Sequence, residues 1–452
     1  MTAPRQGGLR RLTLLAYALP GFAVALPTIP VYIHLPALYG VELGLGLAAT
    51  GLVLLVARLF DTVTDPLVGA LSDRFGFRGA RRKPWIAAGA CIAGLGLFKV
   101  LNPPVGADAS YLMIWSVTLY GGWTMVAVPY LAWGAELSND YGERTRIAAW
   151  RETCALVGIL GAGAVAAWVT GRGGAQAEAS SAVAWVAILA GAAFLPLALW
   201  HVPDRAPRIP SPGTSGSRTW LAGARSLAAN GPFRRLLAAW FINGLANGIP
   251  AALFLIYLEH GLGADAAMQP LFILGYFVAA VAAVPFWSAL SRRIGKHRAW
   301  SVAMTAAVAA FVIVPLIPAG GFAAFAVVCI VTGAALGADL VLPPAIQADV
   351  VDYDRWRSGQ DRPGVQFALW GMSTKLALAA AVGLALPGLE MAGFDTADPA
   401  GGRDALVVIY AAIPAVIKGA AIAIVWRFPL TERRQAALRR RLDRRMPAGM
   451  RT

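Results

Sequence analysis

The chain has 452 residues, 58% of them apolar and only 14% charged, with a mean hydropathy of +0.61. Soluble globular domains run near about 25% charged, so the composition argues against a soluble enzyme or binding module and for an integral membrane protein. The 39 basic residues outnumber the 24 acidic ones, net +15, but they fall between apolar runs and form no single basic domain. That distribution indicates topogenic loop charge, not nucleic-acid binding.

About 20 apolar residues cross a bilayer as a helix, and the hydropathy pattern predicts twelve spans: 12–38, 47–72, 85–104, 110–136, 148–170, 181–201, 233–259, 268–290, 299–318, 320–345, 365–388 and 404–427. The first follows Arg5, Arg10 and Arg11 but is long, contains Pro20, Pro27, Pro30 and Pro36, and lacks a small-residue cleavage site. It therefore reads as a span and not as a signal peptide. Arginine and lysine crowd alternate loops: 73–84, 137–147, the linker 202–232, 291–298, 346–364 and the tail. By the positive-inside rule both termini are expected in the cytoplasm of a multi-pass plasma (inner) membrane protein.

The Pro/Ser/Gly-rich linker 202–232 divides the chain into an N-terminal bundle (1–201) and a C-terminal bundle (233–427), followed by a basic cytoplasmic tail (428–452). The halves echo one another. RFGFRGARRKPW at 74–85 answers RRIGKHRAW at 292–300, and PYLAWGAELSNDYGERTR at 129–146 answers PPAIQADVVDYDRWRSGQDR at 343–362. Such internal symmetry is expected of a two-bundle transporter. Cys91, Cys154 and Cys329 are far apart, without metal-ligand spacing, so neither a disulfide framework nor a zinc site is expected. His34, His201, His260 and His297 form no constellation, and no Gly-x4-Gly-Lys-Ser/Thr loop occurs. An embedded enzyme and an ATP-driven pump are therefore unsupported.

Charges inside the spans are the candidate site. Arg58, Asp61 and Asp65 stand at i, i+3 and i+7, which stacks the two carboxylates on one helical face. Each ionised group costs roughly 3 kcal/mol at the bilayer centre, so the pair demands a cation, a wet cavity or a basic partner. Hard cations take oxygen ligands, which carboxylates and hydroxyls supply; two carboxylates sharing a proton is the alternative. Asp339 lies within the tenth span as a polar substrate contact or proton site, against the plainer reading of a helix-packing hydrogen bond. Trp123 and Tyr130, beside Thr124, could stack on a substrate or simply pack. Lys99 and Lys418, also in apolar runs, receive no role.

GALSDR at 69–74, ARLFDTVTDP at 57–66, ADVVDY at 348–353 and LWGMSTKLALA at 369–379 make the chain resemble the major facilitator superfamily. Within it, the chain is similar to the melibiose-permease-like glycoside–pentoside–hexuronide:cation symporters, a branch that includes lysolipid symporters. The resemblance implies an all-α membrane fold of twelve helices in two six-helix bundles related by a pseudo-two-fold axis. It implies symport of a small organic solute, a glycoside or uronide, coupled to Na+, Li+ or H+, by a monomer with no cofactor beyond the cation. It places the cation among Asp61, Asp65, Thr64 and Thr124, and a substrate contact at Arg151, whose alternative is a cytoplasmic topogenic charge. It assigns Lys375 to the substrate-binding set and to a bridge with the second-span carboxylates, and structural or gating charge to Arg58, Asp73 and Arg74. The sequence departs from the sugar carriers in two places: the first span holds no acid, and Ala127 stands where the fourth span carries an aspartate. Those departures raise the alternatives of an amphiphile such as a lysolipid or fatty-acid derivative, or of a non-transporting assembly or sensor protein.

Overall fold

The computed structural model describes residues 9–445, except parts of 29–46 and residues 78, 105, 139, 174–175, 205–224, 265–267 and 395–398. The helices, in chain order, are α1 (Arg11–Ala25), α2 (Leu47–Arg74), α3 (Lys83–Leu101), α4 (Ala109–Leu137), α5 (Tyr141–Thr170), α6 (Gln176–His201) and α7 (Gly231–Ile256). They continue with α8 (Gln269–Ile294), α9 (Lys296–Ile313), α10 (Phe322–Ser358), α11 (Pro363–Met391), α12 (Gly402–Trp426) and α13 (Glu432–Arg445). Among the described residues, ten of these, α3 to α12, are long and apolar enough to cross a bilayer. Of the other two expected spans, α1 has 15 described residues, and much of the remainder of 12–38 lies outside the described residues. Helix α2 is long enough at 28 residues and carries Arg58, Asp61, Asp65, Asp73 and Arg74. Large apolar side chains stand exposed on many of these helices, Leu52, Leu189, Leu271, Val312 and Val416 among them. In water such surface would drive association; hydrocarbon matches it. The protein is a multi-pass membrane protein.

Contacts divide the chain into two units, Met1–Ser215 with Asp361–Leu369, and Gly216–Gln360 with Trp370–Thr452. In the first, α4 packs on α2 and α3, while α1 packs on α5 and α6 and α3 on α6. The second repeats the pattern: α10 packs on α8 and α9, α7 on α12, and α9 on α12. The residues expected in the linker at 205–224 lie outside the described residues.

Two expected loops are largely helix. The segment expected at 137–147 is helical from Tyr141, because Asp140 caps α5 by accepting the Glu143 N–H at 2.8 Å. The segment expected at 346–364 continues α10 to Ser358, where Gly359 takes a left-handed conformation with φ 70°. The acids that made this stretch look like a solvent loop are instead buried and partnered. Lys296 meets Asp349 at 2.6 Å, Gln435 and Arg439 of α13 meet Asp352, and Asn230 donates to Asp354 at 3.2 Å. Four ionic or polar contacts thus pin α10 where hydropathy ended it.

Close helix approach in the first unit depends on glycine. A Cβ on Gly122 would lie 2.4 Å from the Ala93 nitrogen and 2.9 Å from the Gly89 carbonyl oxygen, whereas one on Gly94 would meet nothing within 4 Å. Both of the near atoms belong to backbone, which cannot swing aside. Gly122→Ala is expected to lower the detergent unfolding midpoint by the equivalent of about 1–3 kcal/mol, while Gly94→Ala changes it little. Equal midpoints for the two variants would contradict this packing.

Candidate functional site

Helix α2 lies along α4, and the contact buries three oxygen-bearing side chains together. Asp61 and Asp65 are 9% and 3% exposed, and Thr124 is 2% exposed. The Thr124 hydroxyl lies 2.6 Å from Asp61 Oδ1 and 2.8 Å from Asp65 Oδ1. A hydroxyl has one hydrogen to donate, so it satisfies one carboxylate at a time. The two short oxygen–oxygen contacts gather both carboxylates around one hydroxyl. Hard monovalent cations suit this all-oxygen set. Spacing placed both acids on one helical face, and Thr124 of α4, expected beside them from the resemblance, lies at hydrogen-bond distance from both.

The fourth expected member is differently engaged. Thr64 Oγ1 donates to the Asp61 backbone carbonyl at 3.0 Å, so its hydrogen serves its own helix. Arg58, half-buried one turn before Asp61, sets its guanidinium 6.0 Å from the Tyr120 ring centroid.

The aromatic candidates pack the unit. Tyr17 donates its hydroxyl to the Tyr130 carbonyl at 3.0 Å, and Tyr130 donates its hydroxyl to the Tyr17 carbonyl, a reciprocal pair that locks α1 to α4. Trp123 is half-buried against the apolar cluster of the same unit. Arg151 is buried on α5 and ion-paired with Glu152, with its backbone against Gly21 of α1. It is not an exposed loop charge. Lys375 is half-buried on α11 within the second unit.

At the other end of α2 lies a charge cluster whose Arg81 and Arg82 the sequence reading counted as topogenic. Arg82 is fully buried and donates to Asp73 Oδ1 at 2.6 Å, Glu136 Oε1 at 2.8 Å and Ser72 Oγ at 2.9 Å. Arg81 donates to Asp73 at 3.2 Å and to Asp361 Oδ2 at 2.9 Å. Burial alone would lower the Arg82 pKa, but the Glu136 and Asp73 carboxylates outweigh it and hold the guanidinium charged, its pKa raised above the ordinary arginine value. Asp73 also accepts the Gly364 and Val365 N–H groups at 2.9 and 3.0 Å, capping the first turn of α11. Asp204 accepts three successive N–H groups, those of Arg81, Arg82 and Lys83, at 2.9–3.0 Å, at the start of α3. Arg74, expected beside Asp73 as a gating charge, is exposed; Arg81 and Arg82 are the cations that meet Asp73.

In the second unit Asp339 is 4% exposed and engaged as a polar hub. It accepts from Trp300 Nε1 at 2.6 Å and Asn247 Nδ2 at 2.8 Å, with Lys418 Nζ 3.8 Å away. Thr332, on the same helix, donates to the Val328 carbonyl at 2.7 Å. The reading that gave Lys418 no role missed this contact. The available signal was the one that marked Asp61: an ionisable group within an apolar span requires a partner.

Among the described residues the architecture is helical and two-unit, with ionisable groups buried inside spanning helices, as in the major facilitator superfamily of transporters. The chain belongs to the MFS/sugar transport protein family, which it matches over residues 16–432. It is 24% identical over 410 residues to the inner membrane symporter YicJ of Escherichia coli (strain K12), covering 85% of this chain and 84% of that one. It is 25% identical over 382 residues to the sodium-dependent lysophosphatidylcholine symporter 1-A of Danio rerio, covering 76% and 71%. In fold it is similar to a bacterial homologue of the iron transporter ferroportin, with a TM-score of 0.70 at 13% identity over 93% of this chain and 99% of that one.

Proposed function

We propose that this protein is a secondary active symporter of the inner membrane, a monomer with both termini cytoplasmic, that couples Na+, Li+ or H+ to a small organic solute by alternating access. Asp61, Asp65 and Thr124 hold the coupling cation, and the solute is a glycoside or uronide. The observation that carries this reading is one hydroxyl within 2.8 Å of two buried carboxylates, in a family whose relatives include named symporters. One charge moving through 100 mV yields roughly 2.3 kcal/mol, enough for about 50-fold accumulation. Because linkage is reciprocal, the cation tightens solute binding by the factor with which solute tightens cation binding. Arg151 and Lys375 are the remaining candidate substrate contacts.

The test is thermal unfolding of the purified protein in detergent with glycosides, uronides and lysophospholipids, each in sodium and in choline at two pH values. The expected result is a glycoside or uronide that raises the midpoint in sodium and much less in choline. Stabilisation in choline at low pH would make the proton the coupling ion. A lysophospholipid acting in place of sugars would move the solute to an amphiphile. Failure of every ligand in both salts would contradict symport.

A further inference from the structure

The second unit holds a buried charge pair that the cation site does not use, at the edge of a cavity of about 310 Å³. That volume lies at the small end of the roughly 300–1,000 Å³ range of small-molecule sites. Lys418, 1% exposed, donates to Asn243 Oδ1 and Asn247 Oδ1, both at 2.7 Å. An ammonium has three hydrogens. Among the described residues the third meets no acceptor at hydrogen-bond distance, since Asp339 Oδ2 stands 3.8 Å off. Asn247 ties the pair together, taking a hydrogen from Lys418 on Oδ1 and giving one to Asp339 from Nδ2. Trp300 holds the other Asp339 oxygen. Lys418, Asn247 and Asp339 all line the cavity, with Phe254, Tyr276 and Tyr410 among its aromatic walls.

We infer that Asp339 and Lys418 form a hydroxyl-binding subsite that selects an uncharged ligand over a carboxylate. The inference rests on the symport reading, whose solute it narrows. An oxygen about 2.8 Å from both partners fits across a 3.8 Å gap, accepting from the ammonium and donating to the carboxylate. Only a group with both capacities does this, and a hydroxyl has both. The pair is charge-balanced, so a ligand carboxylate would set two anions against one ammonium in a desolvated site, an uncompensated buried charge. Aromatic walls suit the apolar face of a ring. In a chain whose first span holds no acid and whose fourth has Ala127, Asp339 thus offers a buried acid in the second unit.

The test compares a methyl glycoside with the matching uronide by equilibrium binding to the full-length protein, in sodium and in choline. The glycoside is expected to bind at least about tenfold more tightly. Asp339→Asn should weaken glycoside binding at least about tenfold. Ala251→Phe, at a cavity-lining position that is exposed and outside the charge pair, should do the same without disturbing the fold. Sodium-dependent stabilisation should survive in both variants, which separates this subsite from the cation site. Equal or tighter uronide binding overturns the subsite, as does wild-type glycoside affinity in Ala251→Phe. Loss of sodium dependence alone counts against the cation reading and leaves the glycoside-to-uronide ratio to judge the subsite.

Discussion

Asp61→Cys and Asp65→Cys are each expected to abolish cation-stimulated uptake while the protein still inserts and folds. Each carboxylate provides a charge-assisted contact worth about 1.5–3 kcal/mol, so losing one weakens the cation roughly 10- to 150-fold. At cellular cation levels that empties the site and uncouples transport. Thr124→Val, which keeps the shape and removes the hydroxyl near both acids, should weaken the cation less, since a neutral ligand is lost. Uptake in vesicles against a sodium gradient reads all three. Normal stimulation in both aspartate variants would remove the cation site from α2.

The largest stability effect is expected at Arg82. Replacing it with Met leaves Asp73 and Glu136, both buried, short of a cation that meets them at 2.6 and 2.8 Å. Breaking a buried pair from one side costs about 3–5 kcal/mol. The loss should be felt at α11 too, because Asp73 caps its first turn. Arg74→Met, next to Asp73 in sequence but exposed, should change stability by less than about 0.5 kcal/mol. Thermal unfolding of the two variants side by side settles it: a small effect at Arg82, or a large one at Arg74, would show that the cluster does not hold the unit together.

These two sites differ in how far the sequence revealed them. Asp61 and Asp65 could be paired from spacing alone, because neighbours on one helix are fixed by 3.6 residues per turn. Thr124 came only through family resemblance, since its contact joins residues about 60 positions apart. Arg82 was hidden for a different reason: a basic residue in a short loop looks the same whether it faces headgroups or is buried against acids. Asp349, Asp352 and Asp354 misled in the same way, since polar residues past a hydrophobic run read as loop although Lys296, Arg439 and Asn230 bury them on helix. Lys418 stood out as a charge within an apolar run, but Asn243, Asn247 and Asp339 come from two other helices. Hydropathy reports which segments enter the membrane, not which side chains meet there.

The most direct test of the central claim is equilibrium binding of radiolabelled sodium to the purified protein, wild type against Asp61→Asn and Asp65→Asn, with lithium and protons as competitors. The account predicts saturable binding of one cation per chain in the wild type, displaced by a competitor and lost in both variants. Saturable binding that persists unchanged in the two variants would contradict it.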